Sequence, residues 1–299
     1  MPTPEPARPV LIKVDRAGVN FADVHRRQGI YIADTPLPYV LGSEVVGRRV
    51  DTGERVLAVA PSGGGYAEYA LAPESTTFTV PDGIDDGSAL ALAVQGNTAW
   101  HILHTSARLQ RGESVAVLAA AGGLGTLAIQ LARHAGAGRI IAVASTPAKR
   151  EFAMKLGAHA AVDSSDVEHL TEALIEANGG ERLDVVLEMA GSDSARAALE
   201  ALAVFGRLVV FGFASGRTAT LDTRDVLLRN RSVIGFVLPR IYPVPGMLAH
   251  SMGELWDAAR SGAIVPHVGG EYPLSQARRA HDDIQGRRTI GKLVLDPAR

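Results

Sequence analysis

Short apolar runs alternate with amphipathic stretches along the chain from about Val115 to Val237. The apolar runs have strand length and are rich in valine, isoleucine and leucine, as in a buried parallel sheet. The predicted strands are 115–118, 139–144, 160–163, 183–188, 207–211 and 232–237, and the later helices are 147–156, 166–177 and 194–204, with Gly206 as a stop signal for the last. Six strands with intervening helices predict a doubly wound α/β fold.

The pattern differs on both sides of this region. The earlier part carries proline and glycine between short alternating strands, as in PLPYVLGSEVVG (36–47), which predicts a small β-rich domain. After Pro239, helices are predicted at 247–261 and 274–285, followed by a strand at Gly291–Leu295. We therefore predict three segments, 1–97, 98–238 and 239–299, the last returning to pack on the first.

A glycine-rich turn, AAAGGLG (119–125), follows the first of the six strands and precedes the helical stretch TLAIQLARHAG. Gly122, Gly123 and Gly125 allow a tight turn that a pyrophosphate can approach, with the positive end of the helix facing it. Ala120 stands where the G-x-G-x-x-G pattern has its first glycine, so this string alone is also compatible with a plain turn. Its place between a strand and a helix favours a dinucleotide site.

The end of the second strand indicates which dinucleotide binds. An NAD site would carry an acidic residue about 20 positions after the glycines to bind the ribose hydroxyl. This chain has Ser145 and Thr146 there, followed by Lys149 and Arg150, which can pair with a 2′-phosphate. Solvated helix residues are the alternative interpretation of the two cations. The pattern predicts NADPH.

Composition excludes several classes of function. The 30 basic and 32 acidic residues nearly balance and form no basic stripe, so nucleic acid is not an expected partner. No apolar run has the length of a membrane span, and the opening MPTPEPARP lacks the regions of a signal peptide. The chain has no cysteine, which excludes disulfides, thiolate metal ligands and a cysteine nucleophile. We expect a cytoplasmic protein that needs no membrane.

The chain resembles the medium-chain dehydrogenase/reductase superfamily, and more narrowly its zinc-free quinone oxidoreductase branch, which includes zeta-crystallin. The strings that carry the resemblance are AGVNFADVHRRQGIY (17–31), LPYVLGSEVVG (37–47), GGYAEYALAPE (64–74), QGNTAW (95–100), AAAGGLG (119–125), DVVLEMAG (184–191), GRLVVFGFASG (206–216) and TIGKLVL (289–295). The resemblance implies a GroES-like substrate domain beside a Rossmann domain. Relatives usually carry a first hairpin before the strand that matches Val10–Val14. Two explanations stay open: the sheet of the substrate domain lacks two strands, or the start of the chain is misassigned.

The same resemblance bears on zinc. Zinc-dependent members hold the metal through a cysteine, a histidine and a third ligand, and the matching positions here are Asn20, Ser43 and Gln95. An amide, a hydroxyl and a second amide do not make a tetrahedral zinc site. His101 and His104 come nearest to ligand spacing, and we interpret them as polar helix residues. No metal is expected.

By resemblance, Asn20 and Tyr31 line the nicotinamide and substrate cleft, and His25 stands where relatives often carry a tyrosine. These three are the candidate catalytic residues. The alternative is structural: Asn20 would cap a helix that begins at Phe21, and Asp23 would pair with Arg26 or Arg27.

Cofactor contacts are implied at a larger set of positions. Lys292 is expected to reach a cofactor phosphate, whereas Phe211 could equally be a buried strand aromatic. The full set is Asn20, Thr98, Ala121, Gly122, Gly123, Leu124, Ser145, Lys149, Ser164, Ala190, Phe211, Gly212, Phe213, Phe236, Val237, Leu238 and Lys292.

The implied activity is hydride transfer from NADPH to a quinone or an activated alkene such as an enone, without a Lewis acid. An enoyl or alkenal double-bond reductase is the alternative enzyme, and a non-catalytic, crystallin-like NADPH-binding protein is the alternative outside enzymes. The apolar sixth strand, SVIGFV, is suited to pairing with a second copy, so a homodimer is expected.

Overall fold

The computed structural model describes residues 9–299, which form two compact units. The first unit contains residues 9–95, Pro239–Arg260 and Pro266–Arg299. The second unit contains Gly96–Leu238 and Ser261–Val265. The sequence placed the divisions after residues 97 and 238, and gave no sign that 261–265 would group with the second unit.

The strands are, in chain order, β1 (Pro9–Val19), β2 (Glu44–Arg49), β3 (Arg55–Val59), β4 (Tyr69–Pro73), β5 (Thr77–Thr79), β6 (Ser114–Leu118), β7 (Arg139–Ala144), β8 (Ala160–Asp163), β9 (Leu183–Glu188), β10 (Leu202–Val210), β11 (Ser232–Gly235), β12 (Val268–Pro273) and β13 (Lys292–Asp296).

The helices are α1 (Phe21–Gln28), α2 (Asp86–Ala91), α3 (Asn97–His101), α4 (Gly123–His134), α5 (Pro147–Lys155), α6 (Leu170–Ala177), α7 (Asp193–Glu200), α8 (Thr223–Leu228), α9 (Met247–Arg260) and α10 (Ala277–Gln285). Two π-helical segments, Leu92–Gly96 and Ile102–Ala107, lie before and after α3. Within residues 9–299, none of these helices is both long and apolar enough to cross a bilayer.

The first unit is built on a seven-stranded sheet in the order β12-β13-β1-β2-β3-β5, with β4 also paired to β1. The long strand β1 is central, because its successive segments pair with β4, β2 and β13. Its last residues, Ala17–Val19, lie antiparallel to the C-terminal strand β13. Alternate side chains of β1, including Ile12 and Val14, face a core that also contains Leu293 and Leu295. The returning C-terminal segment therefore completes this unit.

The second unit holds a six-stranded parallel sheet in the order β11-β10-β9-β6-β7-β8. The order reverses between β6 and β9, which creates the switch point where open α/β sheets bind ligands. Ala116, Ile141, Val186 and Leu208 from four neighbouring strands fill the core on one face. The predicted α/β class is confirmed, with strands at 139–144, 160–163 and 183–188 at the predicted bounds.

Two boundaries differ from the prediction for local reasons. Gly206 does not stop a helix: α7 ends at Glu200, and Gly206 lies inside β10. A Cβ atom at Gly206 would lie 2.9 Å from the Leu202 Cβ atom and 3.1 Å from the carbonyl oxygen of Leu183, so crowding from its own strand and from the neighbouring strand explains the glycine. Helix α6 begins at Leu170 rather than 166, because the Asp166 carboxylate accepts a bond from the His169 amide in a preceding turn.

Candidate functional site

The predicted cofactor residues of the second unit collect at one edge of its sheet. Because all six strands are parallel, the segments that follow them lie at the same edge. Most of the predicted residues stand in these segments: Ala121, Gly122, Gly123 and Leu124 after β6, Ser145 after β7, Ser164 after β8, Ala190 after β9, Phe211, Gly212 and Phe213 after β10, and Phe236, Val237 and Leu238 after β11. The topology thus brings together positions scattered over more than a hundred residues of sequence.

The glycine turn after β6 provides donors for an anion. The Gly122 amide donates to the Ala119 carbonyl, and the first helical bond of α4 runs from the Thr126 amide to the Gly122 carbonyl at 2.9 Å. The three intervening amides, at residues 123–125, therefore precede the first acceptor that the helix offers. A Cβ atom at Gly125 would lie 2.4 Å from the Ala119 oxygen, so only glycine fits. This turn fits a dinucleotide pyrophosphate.

Lys149 and Arg150, which are adjacent in the sequence after β7, have different surroundings in the structure. Thr146 caps α5 by accepting the Lys149 amide at 3.3 Å. Arg150 turns away: its guanidinium pairs with Asp163 at 2.8 Å and donates to the Ala144 carbonyl at 3.1 Å. The expectation that Arg150 assists a 2′-phosphate therefore does not fit this geometry. Ser164, whose amide donates to the same carbonyl, lies beside the end of β7.

Glu188, which the sequence prediction passed over, organises the loop after β9. One carboxylate oxygen accepts bonds from the amides of Ala190 and Gly191 and from the Ser194 hydroxyl, at 2.8 to 3.0 Å. Its other oxygen is buried and has no hydrogen-bond partner within residues 9–299. Burial raises the pKa of this carboxyl group above its usual range. Glu188 thus fixes the backbone around the predicted contact Ala190.

Two further predicted contacts belong to packed parts of the second unit. Thr98 is buried on α3. The ring of Phe236 is stacked on that of His101 with centroids 5.9 Å apart, and the Nδ1 atom of His101 lies 2.9 Å from the Thr105 hydroxyl. Phe211 is half-buried just beyond the end of β10, with its amide bonded to the Glu188 carbonyl.

In the first unit, Asn20 belongs to a buried hydrogen-bond network with Glu44 and Lys292. These residues stand at the end of β1 and the starts of β2 and β13, and none is more than 4 % exposed. The Lys292 amine forms an ion pair with Glu44 and also donates to the Asn20 side-chain oxygen at 3.1 Å and the Val19 carbonyl at 3.2 Å. Asn20 donates its own amide to Glu44 at 2.7 Å, and the second Glu44 oxygen accepts the Val94 amide.

This network corrects the expected role of Lys292. An ammonium group has three hydrogens, and three acceptors of the first unit surround this one in a fully buried position. It is therefore not available to a cofactor phosphate. Its position assigns it instead to holding Glu44 and the Asn20 amide, because either charge alone would be costly at this depth.

Asp23 is the centre of a second buried cluster. Its carboxylate accepts the amides of Asn20 at 2.9 Å and Gly42 at 3.2 Å, so the alternative pairing with Arg26 or Arg27 is wrong. The Tyr66 hydroxyl lies 3.4 Å from Asp23 and 3.0 Å from the Nε2 atom of His281. Burial raises the pKa of Asp23 to about 6, against the lowering effect of the two amides. Burial lowers the pKa of His281 to about 4.

The other catalytic candidates lie on or just after α1, which begins at Phe21 after Asn20. His25 is buried and contacts the Phe21 ring edge-on at 5.0 Å, and burial lowers its pKa. A neutral, packed imidazole is a poor proton donor near pH 7. Tyr31 is half-buried, and the guanidinium of Arg26 lies over its ring at 4.0 Å.

Chemically important residues that sequence reasoning missed are Glu44, Tyr66, His281 and Glu188. Glu44 and Glu188 carry a readable signal, since each is a carboxylate at one end of a strand, directly beside apolar residues. An unpaired charge at such a position is costly, so a partner could have been expected. Tyr66 and His281 are separated by 215 residues, and no sequence pattern connects them.

Comparison with known proteins supports this arrangement. The model of the alcohol dehydrogenase GroES-like domain matches residues 6–82, and that of the zinc-binding dehydrogenase family matches 123–252. The rat quinone oxidoreductase is 31 % identical, with 99 % of this chain and 91 % of that protein aligned. A probable quinone oxidoreductase of Schizosaccharomyces pombe is 33 % identical, with 99 % and 90 % aligned.

Solved structures give the same result. A mycobacterial protein in complex with NADPH is 35 % identical with a TM-score of 0.90, over 99 % of this chain and 94 % of that one. The Escherichia coli quinone oxidoreductase in complex with NADPH is 28 % identical with a TM-score of 0.91, over the same shares. The fold and the matched families are those of the medium-chain dehydrogenases and reductases. Within that superfamily, this chain belongs to the quinone oxidoreductase branch.

The zinc in the name of one matched family does not fit the residues of this chain. Among the positions that correspond to zinc ligands, the Asn20 amide already donates to Glu44 and accepts from Lys292. Within residues 9–299, no cluster of three or more histidine, aspartate and glutamate side chains could hold a metal ion. An amide and a hydroxyl do not replace the thiolate and imidazole of a tetrahedral site.

The Asp23 cluster leads to a prediction about stability and pH. The pKa of Asp23 is raised in the folded state. Its contribution to the unfolding free energy is therefore full below pH 4 and is lost as the pH rises towards 6. The pKa of His281 is lowered in the folded state. Its contribution to the unfolding free energy is therefore full above pH 6.5 and is lost as the pH falls towards 4. Each effect is at most about 3 kcal/mol, and the two oppose each other between pH 4 and 6.

Single substitutions should expose each effect. We expect the unfolding free energy of Asp23→Asn to rise with pH between 4 and 6.5, and that of His281→Gln to fall, relative to the wild type. Urea unfolding at a series of pH values measures both slopes, with Tyr66→Phe as a control that keeps both titrating groups. If both variants keep the wild-type slope, the assignment of these pKa shifts is wrong.

Proposed function

We propose that this protein is an NADPH-dependent oxidoreductase that reduces quinones or activated alkenes without zinc. The observation that carries the proposal is the glycine turn at 119–125, which follows β6 at the switch point of a parallel sheet and precedes the first helical hydrogen bond of α4. The relatives named as quinone oxidoreductases and the neighbours solved with NADPH support the same activity. The names of those relatives favour it over a dedicated enoyl reductase and over a non-catalytic binding protein.

When bound, NADPH supplies the hydride that a quinone or an electron-poor double bond accepts. The protein then binds and orients the cofactor and the acceptor, and it excludes water from the site. In our proposal the amides of Gly123 and Leu124 hold the pyrophosphate, and Ser145 and Lys149 hold the 2′-phosphate.

On the substrate side, Asn20 and Tyr31 border the acceptor in this proposal. The Asn20 amide is kept in one orientation, because Glu44 fixes its nitrogen and Lys292 fixes its oxygen. A fixed dipole of this kind stabilises developing negative charge on a reduced oxygen without reorganising during the reaction. Buried His25 is not needed as an acid, so solvent or another group supplies the proton.

The activity can be tested directly with purified protein. We expect NADPH to be consumed with benzoquinone and naphthoquinone, more slowly with alkenals and enoyl thioesters, and at an unchanged rate after dialysis against a zinc chelator. Absorbance of the reduced nicotinamide reports the rates, and elemental analysis reports bound metal. Binding of NADPH without turnover across the panel would support the non-catalytic alternative, and activity restored only by zinc would refute zinc independence.

The choice of NADPH over NADH is assigned to Lys149. Replacement by methionine removes a charge-assisted contact with the 2′-phosphate, so kcat/KM for NADPH should fall about tenfold to a hundredfold. The value for NADH, which lacks that phosphate, should stay nearly constant. Steady-state kinetics with each cofactor measure the ratio.

Arg150 offers a matched control. It stands next to Lys149 and carries the same charge, yet its guanidinium is paired with Asp163. Arg150→Met should therefore change the cofactor ratio much less than Lys149→Met. Equal losses in the two variants, or a loss for NADH as large as that for NADPH, would contradict the assignment of Lys149.

A homodimer is part of the proposal, and the edge of the second unit supports it. Strand β11 is the last strand of the sheet on its side. Large apolar side chains near it are exposed, including Phe205 at 72 %, with Val204, Leu227, Leu228 and Val233. Such a patch beside an open strand edge is typical of an interface between copies.

Phe205 tests this interface. Its φ is +64°, a conformation that asparagine tolerates well, so Phe205→Asn removes the ring without strain. Burying a phenylalanine side chain stabilises an interface by about 1.5–3 kcal/mol. Removing it should therefore raise the dimer dissociation constant at least about tenfold. Light scattering over a dilution series measures this, with Met154→Glu on α5 as an exposed apolar control. A monomeric wild type would refute the dimer.

Cytoplasmic localisation completes the proposal. The chain has no cysteine, so no part of the fold requires an oxidising compartment. Cell fractionation with an antibody against the chain tests it.

A further inference from the structure

Arg26 lies against two tyrosine rings in the first unit. Its guanidinium carbon lies 4.0 Å from the ring centroid of Tyr31 and 5.2 Å from that of Tyr39. Both distances are within the range of cation–π attraction. The two rings flank a loop after α1, and Arg26 itself stands in the last turn of that helix. The rings therefore fix where the positive charge is placed.

The charge of Arg26 has no ion-pair partner among residues 9–299. Within residues 9–299, no carboxylate lies at ion-pair distance from it, and one nitrogen donates a long bond of 3.4 Å to the Thr35 hydroxyl. A guanidinium has five N–H donors, so most of its hydrogen-bonding capacity is not used by those residues. Tyrosine rings attract a cation but do not supply a negative charge.

The neighbouring Arg27 shows the contrast. Its guanidinium donates to Gln285 at 2.5 Å and lies 3.9 Å from Asp282, so the chain provides its partners. The two arginines are adjacent on one short helix and differ in what surrounds them. Arg27 connects α1 to α10, whereas Arg26 is half-buried and forms no ion pair with the described part of the chain.

Tyr242 interacts electrostatically with both Arg26 and Glu44 of the Asn20 network, and burial raises its pKa above the usual range. Tyr31, which lies against Arg26, is one of the two residues that we assign to the substrate side. Arg26 is thus a fixed cation beside the residues that border the acceptor in the proposed function.

We propose that Arg26 determines specificity for acceptors that carry a negatively charged group, such as a carboxylate, sulfonate or phosphate on a quinone or enone. This inference rests on the proposed function, because it names the substrate class of the same site. The guanidinium supplies a charge-assisted, two-pronged contact, and the tyrosine rings pack against the flat acceptor beside it.

The test compares a neutral and an anionic acceptor of similar shape, naphthoquinone and naphthoquinone sulfonate. We expect the wild type to favour the sulfonate, and Arg26→Met to reduce that preference about tenfold while leaving kcat/KM for naphthoquinone nearly unchanged. Arg26→Lys, which keeps the charge, should recover part of it. Added salt should weaken the wild-type preference. Arg27→Met is the matched control and should keep the wild-type ratio.

Equal loss for both quinones in Arg26→Met would show that the arginine only packs the loop, and would overturn the inference while leaving the proposed function standing. If the wild type reduces neither quinone, the proposed function fails separately. Calorimetric binding of the sulfonate then decides the inference: binding about tenfold weaker in Arg26→Met than in Arg27→Met supports it, and equal binding refutes it.

Discussion

The buried ion pair between Lys292 and Glu44 is the interaction on which the first unit depends. It joins the start of the C-terminal strand to the start of β2, and both charges are fully removed from water. Breaking such a pair by removing one partner costs about 3–5 kcal/mol, because the other charge is left uncompensated. The Asn20 amide donates to the same Glu44 oxygen as Lys292, and the Val94 amide satisfies the other oxygen. Gly18 leaves room for it, since a Cβ atom there would overlap the Glu44 carboxylate.

The two units position their polar groups in different ways. The first unit orients side chains through buried carboxylates, and Asp23 and Glu44 between them bind backbone amides from three separate segments. The second unit offers backbone amides of a glycine turn, and it uses a buried carboxylate, Glu188, only to shape the loop beside them. Side-chain networks give orientation, whereas backbone amides give an anion site that needs no charged residue.

Adjacent residues of the same type have different roles in this protein. Arg150 is bound to Asp163, whereas our proposal assigns Lys149 to a phosphate; Arg27 is bound to α10, whereas Arg26 lies against two tyrosine rings. Helical residues one position apart point about 100° away from each other, so they meet different neighbours. A pair of cations in a sequence therefore does not predict a pair of cations at one site.

The sequence by itself determined the fold class, the kind of dinucleotide and the glycine turn between β6 and α4. These features depend on local signals: the strand-length apolar runs, the glycines at 122, 123 and 125, and the absence of an acidic residue after β7. It also determined that Asn20 would precede a helix, since an N-cap is a local preference.

Only the tertiary structure decided the partners of the buried charges. Lys292 lies 248 residues from Glu44, and Tyr66 lies 215 residues from His281, so no local pattern links them. The position of Lys292 on β13 is compatible with either a phosphate contact or an internal ion pair. The pairing of β13 with the end of β1 places its amine beside Glu44, where burial makes a charged partner obligatory. Local preference shapes each element, and the cost of burying charge selects which elements meet.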